Sequence, residues 1–345
     1  MNFFVTSDVH LEDGDIIKHC RRPWCIRNPA YDRMIPYDFT RNNPLAVTPE
    51  ALEAHSQAII DKWNGMVGKK DKIIIVGDFC FANHSRYASA LNGKKIIVLG
   101  NHDELPPDAL KYFREIHEWG FKMSVRTNKL FPSGRNMRED VSFCHYAMRS
   151  WPNSCFGAAH LYGHSHGRLP ELDSLLSFDV GVDVWGYVPI PWDAIQKKID
   201  IKRDLIRSRN GFSADNGGIT QRGLYSNDPE HRMIATRKKN LEILKSIGID
   251  IPVESMSLSK DCLKALDECE KADKVLTCVV AVAGSTNSLG RMYSRELLIK
   301  LADNKQFFWD EKAGQLSVRA RSAVFGDRHA VAAMFKQRIA TTANS

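Results

Sequence analysis

The sequence predicts an α/β protein, on three observations. Short β-branched runs bounded by glycine recur through the first 200 residues, and each ends in a polar turn. Helical patterns stand between them. The clearest has Thr48-Pro49 as N-cap and first helical residue, ahead of an apolar stripe at Leu52, Ile59, Trp63 and Met66. The polar turns also share their chemistry: Asp, His and Asn recur at them. In open α/β sheets the carboxyl ends of the strands are where ligands bind.

The chain is organised around Gly100-Asn101-His102-Asp103, which directly follows the apolar run Ile96-Ile97-Val98-Leu99. The same pattern recurs at Val5-Thr6-Ser7-Asp8-Val9-His10 and at Ile73-Ile74-Ile75-Val76-Gly77-Asp78. It appears again at Val141-Ser142-Phe143-Cys144-His145 and at Leu161-Tyr162-Gly163-His164-Ser165-His166. An Asn-His-Asp triplet alone is a weak signal; five ordered units in one chain are a strong one. Neutral imidazole, carboxylate and amide oxygen together suit borderline divalent metals such as Mn, Fe, Zn, Ni or Co. Asp8, His10, Asp78, Asn101, His145, His164 and His166 make seven candidate ligands. One ion rarely needs so many, whereas two ions sharing a carboxylate do, so the set points to a two-metal hydrolytic site.

These blocks resemble those of the calcineurin-like metallophosphoesterases. That pattern runs Asp-x-His, Gly-Asp, Gly-Asn-His-Asp/Glu, His and Gly-His-x-His, in this order. The resemblance is closest to small bacterial and phage phosphoesterases that begin with Ser-Asp-x-His. These carry segments like Asp15-Ile16-Ile17-Lys18-His19-Cys20-Arg21-Arg22-Pro23 and Gly181-Val182-Asp183-Val184-Trp185. The likeness covers about residues 1–200. It implies a two-sheet αββα sandwich with two divalent ions, manganese first among them, at the strand ends. Asp8, His10 and His166 would hold one ion, Asn101, His145 and His164 the other, and Asp78 would bridge them. Ions about 3.5–4 Å apart lower the pKa of a shared water, whose hydroxide attacks while they neutralise phosphate oxygens. His102 is then the general acid for the leaving oxygen, with Asp103 orienting its imidazole. Where the family often has His-Tyr-Pro, this chain has His145-Tyr146-Ala147, so the shape of the turn after that ligand does not carry over.

A chain of 345 residues exceeds one average domain, and two domains are expected. The longest apolar candidate, Val275 to Ala283, falls far short of the roughly 20 residues that span a bilayer. With Thr6, Ser7 and Asp8 so early, the start is unlike a signal peptide, and a cytoplasmic protein without membrane partners is expected. The eight cysteines include no Cys-x-x-Cys pair, which favours reduced thiols. The net charge of +7 resides in residues 201–345, with 24 Lys and Arg against 17 Asp and Glu. A solubilising surface and a nucleic-acid contact account for that excess equally well.

In chain order, Asn2–Ser7 is the first predicted strand. Residues 11–47 form a long connection leaving two ligands, and offer Lys18, His19, Arg21 and Arg22 to a substrate phosphate, unless these charges are simply solvated. A helix to about Met66, strand Lys72–Val76, short helix Arg86–Leu91 and helix Leu105–Trp119 follow. Met123–Arg138 reads as a hairpin or excursion, Val141–Cys144 as a strand, and Tyr146–Phe156 as a loop offering Arg149. His160 reads as structural. Phe178–Val184 is the last strand and Pro189–Ile195 a short helix, and residues 208–224 have linker composition. Residues 225–345 then read as a small basic α+β domain. It contains helices Asp228–Ile247 and Leu258–Ala272, strand Lys274–Ala283, a helix ending at Leu301, a hairpin of Gln306–Trp309 with Gln315–Ala320, and a helix Asp327–Ile339.

Three functions compete at this stage. The first is a metal-dependent phosphodiesterase acting on a nucleotide or nucleic acid, towards which the basic C-terminal part tilts the reading. The second is a phosphomonoesterase acting on a small metabolite or phosphoprotein. The third is an inactive scaffold, against which the intact ligand set argues.

Overall fold

The chain opens with β1 (Phe3–Thr6), whose apolar side chains are buried from Phe4 on. Next come α1 (Gly14–His19) and the short strands β2 (Ile26–Arg27) and β3 (Leu45–Ala46). The connection at 11–47 is thus not all loop. Asp13 starts α1 by accepting the backbone N–H groups of Asp15 and Ile16 at 3.0 and 3.1 Å. α2 (Pro49–Met66) begins where predicted, with Thr48 Oγ1 accepting from the Ala51 N–H at 3.2 Å. This computed structural model describes residues 2–32, 37–130, 133–208, 229–270, 307–310 and 315–318.

β4 (Lys72–Val76), α3 (His84–Ala90) and β5 (Lys94–Val98) follow. The helix expected over Leu105–Trp119 is instead one turn, α4 (Pro107–Leu110), and then a strand, β6 (Phe113–His117), parallel to β5. The open edge of β5 offers unpaired backbone groups, and pairing with it outweighs local helix preference. β7 (Phe121–Leu130) and β8 (Asn136–Phe143) form the hairpin that the sequence suggests.

β9 (Ala159–Tyr162) and β10 (Ser177–Asp179) complete the second sheet. The expected strand to Val184 stops at Asp179, whose Oδ1 accepts the Gly181 N–H at 2.7 Å. That side-chain turn ends the strand, and Val182–Val184 becomes a 3₁₀ turn. β11 (Ile190–Pro191) leads into α5 (Trp192–Ser208), which is longer than predicted because Ile195, Ile199 and Ile206 all reach the core. One sheet runs β11-β1-β4-β5-β6 and the other β10-β9-β8-β7. Val5, Ile74 and Ile97 from the first share one buried apolar cluster with Val141, Leu161 and Phe178 from the second. The chain is therefore mixed α/β.

The domain boundary differs from expectation. The chain forms two compact units, Met1–Trp24 with Val47–Ser257, and Cys25–Ala46 with Leu258–Ser345. α6 (Pro229–Lys245), assigned from sequence to a separate C-terminal domain starting at 225, belongs to the first unit. Met233, Leu241 and Leu244 enter its core, and Asn240 Nδ2 donates to the Val184 carbonyl at 2.9 Å. The expected boundary rests on the linker composition of residues 208–224, soon after which this helix follows.

In the second unit β2 pairs antiparallel with β3, residues 260–270 are helical, and β12 (Phe307–Asp310) pairs antiparallel with β13 (Gln315–Val318). The Cys262 thiol donates to the Cys25 carbonyl across 3.5 Å. The predicted strand 274–283, the helix ending at 301, the helix 327–339 and nearly all of the 208–224 linker lie outside the described residues. No described helix is long and apolar enough to cross a membrane.

Candidate metal centre

Strand ends of the first unit bring all seven candidate ligands together. β1 delivers Asp8 and His10, β4 Asp78, β5 Asn101, β8 His145, and β9 His164 and His166. Ligand atoms of Asp8, His10 and His166 lie within 4.8 Å of one another, as do those of Asp78, His145 and His164. Asp78 joins the two groups: its Oδ2 lies 3.3 Å from His10 Nε2 and 3.2 Å from His145 Nε2. Asn101 Oδ1 is 3.1 Å from His145 Nε2.

The backbone is bent to achieve this. Asp8, His10, Asp78, His164 and His166 all have positive φ, between 47° and 63°. Non-glycine residues held there cost about 1–3 kcal/mol each and persist where the surroundings over-determine them, characteristically at functional sites. Gly163 permits the close approach, since a Cβ there would stand 1.9 Å from Ser7 Oγ and 2.6 Å from Asp8 Oδ2.

The donor set fits a divalent cation. Asp8 Oδ2 is buried and makes no hydrogen bond among the described residues, and His10 Nε2, also buried, faces the Asp78 carboxylate at 3.3 Å. Three imidazoles are tied through Nδ1: His10 to Asp13 at 3.0 Å, His145 to the Val76 carbonyl at 2.9 Å, and His166 to Asp183 at 2.7 Å. Each Nδ1–H donated in this way turns the Nε2 lone pair towards the centre, the usual outer support of a metal-binding histidine.

The charges are strongly coupled. Burial pushes Asp8 up to about 7, against the pull of His145. Asp78 is far below the carboxylate range, because hydrogen bonds from His10 and His145 overcome its burial. Burial disfavours charge on His10 and His145 as well, yet their carboxylate partners raise both to about 9. Without a cation, protons on these rings balance the buried carboxylates. A divalent ion competes with those protons for the same atoms.

Several sequence-predicted roles change. Asp103 does not orient His102. Its Oδ2 accepts the N–H groups of Asp78 and Gly100 at 2.7 and 2.8 Å, and its Oδ1 that of Phe79 at 2.8 Å. With three backbone donors on it, this carboxylate braces the two ligand turns. Arg22 is no substrate contact either, being wholly buried and paired with Asp183 at 2.9 and 2.8 Å. It also donates to the carbonyls of Val9 and Asp8. Arg21 lies 3.6 Å from Glu230 on α6, Lys18 pairs with Asp15 at 2.8 Å, and His19 meets Arg168. Arg149 is exposed. His102 is exposed at the mouth, its N–H donating to Asp78 Oδ1 at 3.0 Å and its ring centroid 5.6 Å from that of His10. His160 is structural as read, bonded to Ser177 Oγ at 3.0 Å and stacked on Trp151.

Asp13 and Asp183, each hydrogen-bonded to a candidate-ligand imidazole, are partners that ligand counting missed. Asp13 was visible three residues after His10, and Asp183 inside the Gly-Val-Asp-Val-Trp block. A third group, Cys20 with His166 and Asp183, also has metal-binding spacing. It is a poor site, because burial drives the Cys20 thiol well up and Asp183 is committed to Arg22 and His166.

No family model matches the chain. An uncharacterized protein of Methanocaldococcus jannaschii is 25% identical over 217 residues, covering 60% of this chain and 96% of that protein. The gene 66 protein of Mycobacterium phage D29 is 25% identical over 173 residues, 44% of this chain and 86% of that protein. A solved protein of unknown function from Aquifex aeolicus is 18% identical with a TM-score of 0.37, covering 57% of this chain and 98% of its own.

Proposed function

We propose that the first unit is a dinuclear metallophosphoesterase with the αββα sandwich of that family, hydrolysing a phosphodiester of a nucleotide or nucleic acid. One observation carries this reading: Asp78 lies within 3.3 Å of an imidazole nitrogen from each ligand group, as a carboxylate shared by two ions must. Bound divalent ions, with manganese placed first, supply Lewis acidity and an activated water.

The protein's own residues do the rest. Asp13 and Asp183 hold the His10 and His166 rings in the tautomer that keeps Nε2 available. Asp103 fixes the turns that carry Asp78 and Asn101. His102, exposed beside the ligands, gives its proton to the leaving alkoxide. The preference for a diester rests on charge. Arg22, whose guanidinium reaches the Asp8 and Val9 carbonyls, is neutralised by Asp183, and a phosphodiester monoanion asks for less compensation than a monoester dianion.

The test is metal analysis of the purified protein together with a substrate panel in Mn²⁺. The panel comprises bis-p-nitrophenyl phosphate, p-nitrophenyl phosphate, cyclic nucleotides, RNA and single-stranded DNA. Two equivalents of metal and turnover of a diester are expected. No metal and no turnover with any divalent ion would refute the reading.

A further inference from the structure

Two aromatic side chains stand half-exposed against the rings of the centre. Phe81 is 54% exposed, with its ring centroid 5.7 Å from that of His102. Tyr146 is 42% exposed and lies 4.8 Å from His164 and 5.2 Å from His145. Phe81 is not a loose loop residue. It follows the ligand Asp78 by three positions, and its N–H donates to the Leu11 carbonyl at 2.8 Å. The intervening Phe79 and Cys80 are buried, and Phe79 packs edge-on against Phe113 at 5.6 Å. A rigid backbone therefore presents an uncovered benzene ring to solvent beside the candidate proton donor.

Scattered surface apolar residues need no explanation, but this ring adjoins the cluster of candidate ligands, where the proposed function puts the phosphate. A ligand that fits both features has a phosphate at the histidines and a planar apolar group one sugar away. Nucleosides joined through phosphate have that form, and base–aromatic stacking tolerates any base because each has a π-face. We infer that Phe81 is a stacking platform for the base of the leaving nucleoside, with Tyr146 serving the opposite arm, so that the substrate is a nucleoside phosphodiester rather than a lipid or sugar diester. This rests on the phosphodiesterase reading for the location of the phosphate, and adds the side chains that recognise the base.

Binding decides the matter without relying on turnover. The full-length protein in Mn²⁺ is compared for affinity to adenosine 5′-monophosphate and ribose 5-phosphate by equilibrium dialysis, alongside Phe81→Leu and Phe81→Tyr. The nucleotide should bind about tenfold more tightly than the sugar phosphate, the scale of one base stack. Phe81→Leu, which keeps an apolar side chain but removes the π-face, should erase that preference, and Phe81→Tyr should retain it. Equal wild-type affinities, or a preference that survives Phe81→Leu, would overturn the inference. A Phe81-dependent preference in a protein that cleaves no diester would refute the phosphodiesterase reading and leave the stacking role standing. Diester cleavage without any base preference would do the reverse.

Discussion

The Asp183→Asn substitution tests the centre most severely, because it changes almost no volume. Asp183 accepts Arg22 Nε on Oδ1 at 2.9 Å, and both Arg22 Nη2 and His166 Nδ1 on Oδ2, at 2.8 and 2.7 Å. Every neighbour at these distances is a donor, whereas an asparagine has one acceptor and one donor group. If its oxygen faces His166, its amide confronts Arg22 Nε. If it faces Nε, the amide confronts Arg22 Nη2 and His166, and the imidazole must change tautomer and lose the Nε2 lone pair. In both orientations Arg22 stays buried at 0% exposure with no countercharge from this site.

Removing one member of a buried ion pair typically costs about 3–5 kcal/mol. Loss of the outer partner of a metal-binding histidine typically costs about 10–100-fold in metal affinity. Asp183→Asn should therefore lower the stability of the metal-free protein by about 3–5 kcal/mol in urea denaturation, and weaken metal binding on the 10–100-fold scale in calorimetric titration. Arg22→Met combined with Asp183→Asn separates the causes. Removing the orphaned charge should restore much of the stability, and it also frees the asparagine to turn its oxygen to His166, so metal affinity should recover in part. A single variant within about 0.5 kcal/mol of wild type, the usual range for neutral surface changes, would refute the argument. So would a double variant no more stable than the single one.

Two further outcomes follow from the same geometry. His102→Ala should lower turnover roughly 10²–10⁴-fold while leaving metal content intact, and less so for p-nitrophenyl esters, whose leaving group scarcely needs a proton. His164→Ala should instead lose metal by elemental analysis, and equal metal loss in the two variants would contradict these roles. His160 provides a pH effect away from the ligands. Burial lowers its pKa from 6.5 to about 4, so below pH 6.5 the unfolded chain takes up a proton that the folded chain refuses. Its contribution is complete above pH 6.5 and lost progressively down to pH 4, amounting to about 2 kcal/mol between pH 7.5 and 5.0. His160→Asn, which keeps an amide opposite Ser177, should flatten urea-denaturation stability over that interval by the same amount, and an unchanged slope would exclude this origin.

The clustering of the candidate ligands was readable from sequence because each stands at the end of an apolar run, where side-chain alternation and a following turn are local properties. The roles of Asp103 and Arg22 were not. Asp103 adjoins His102 in sequence, but its carboxylate is claimed by backbone groups of Asp78 and Phe79 from another strand end. Arg22 looks like a surface cation in a basic segment until Asp183, far along the chain, is folded against it. Likewise Phe113–His117 is a strand only because β5 has an edge to pair, which no local pattern reveals. What sequence reading misses here is pairing at long range.

The location of α6 follows from the same pairing and bears on how the centre is held. Five candidate ligands at positive φ, with buried carboxylates between them, form an arrangement that the local chain disfavours. It must be held from outside. Arg22 and Asp103 hold the turns from one side through the Asp8, Val9, Asp78, Phe79 and Gly100 backbone. The 3₁₀ turn bearing Asp183 has its own support. Arg237 Nε donates to the Asp183 carbonyl at 2.7 Å and Asn240 Nδ2 to that of Val184 at 2.9 Å, both from α6. Arg232 of the same helix donates to the Arg168 carbonyl, just beyond His166. A helix that follows a stretch of linker composition thus fixes the residue that orients a candidate metal ligand. Two of its arginines, Arg232 and Arg237, are directed at carbonyl oxygens of the centre's own turns, while Lys238, Lys239 and Lys245 stay exposed.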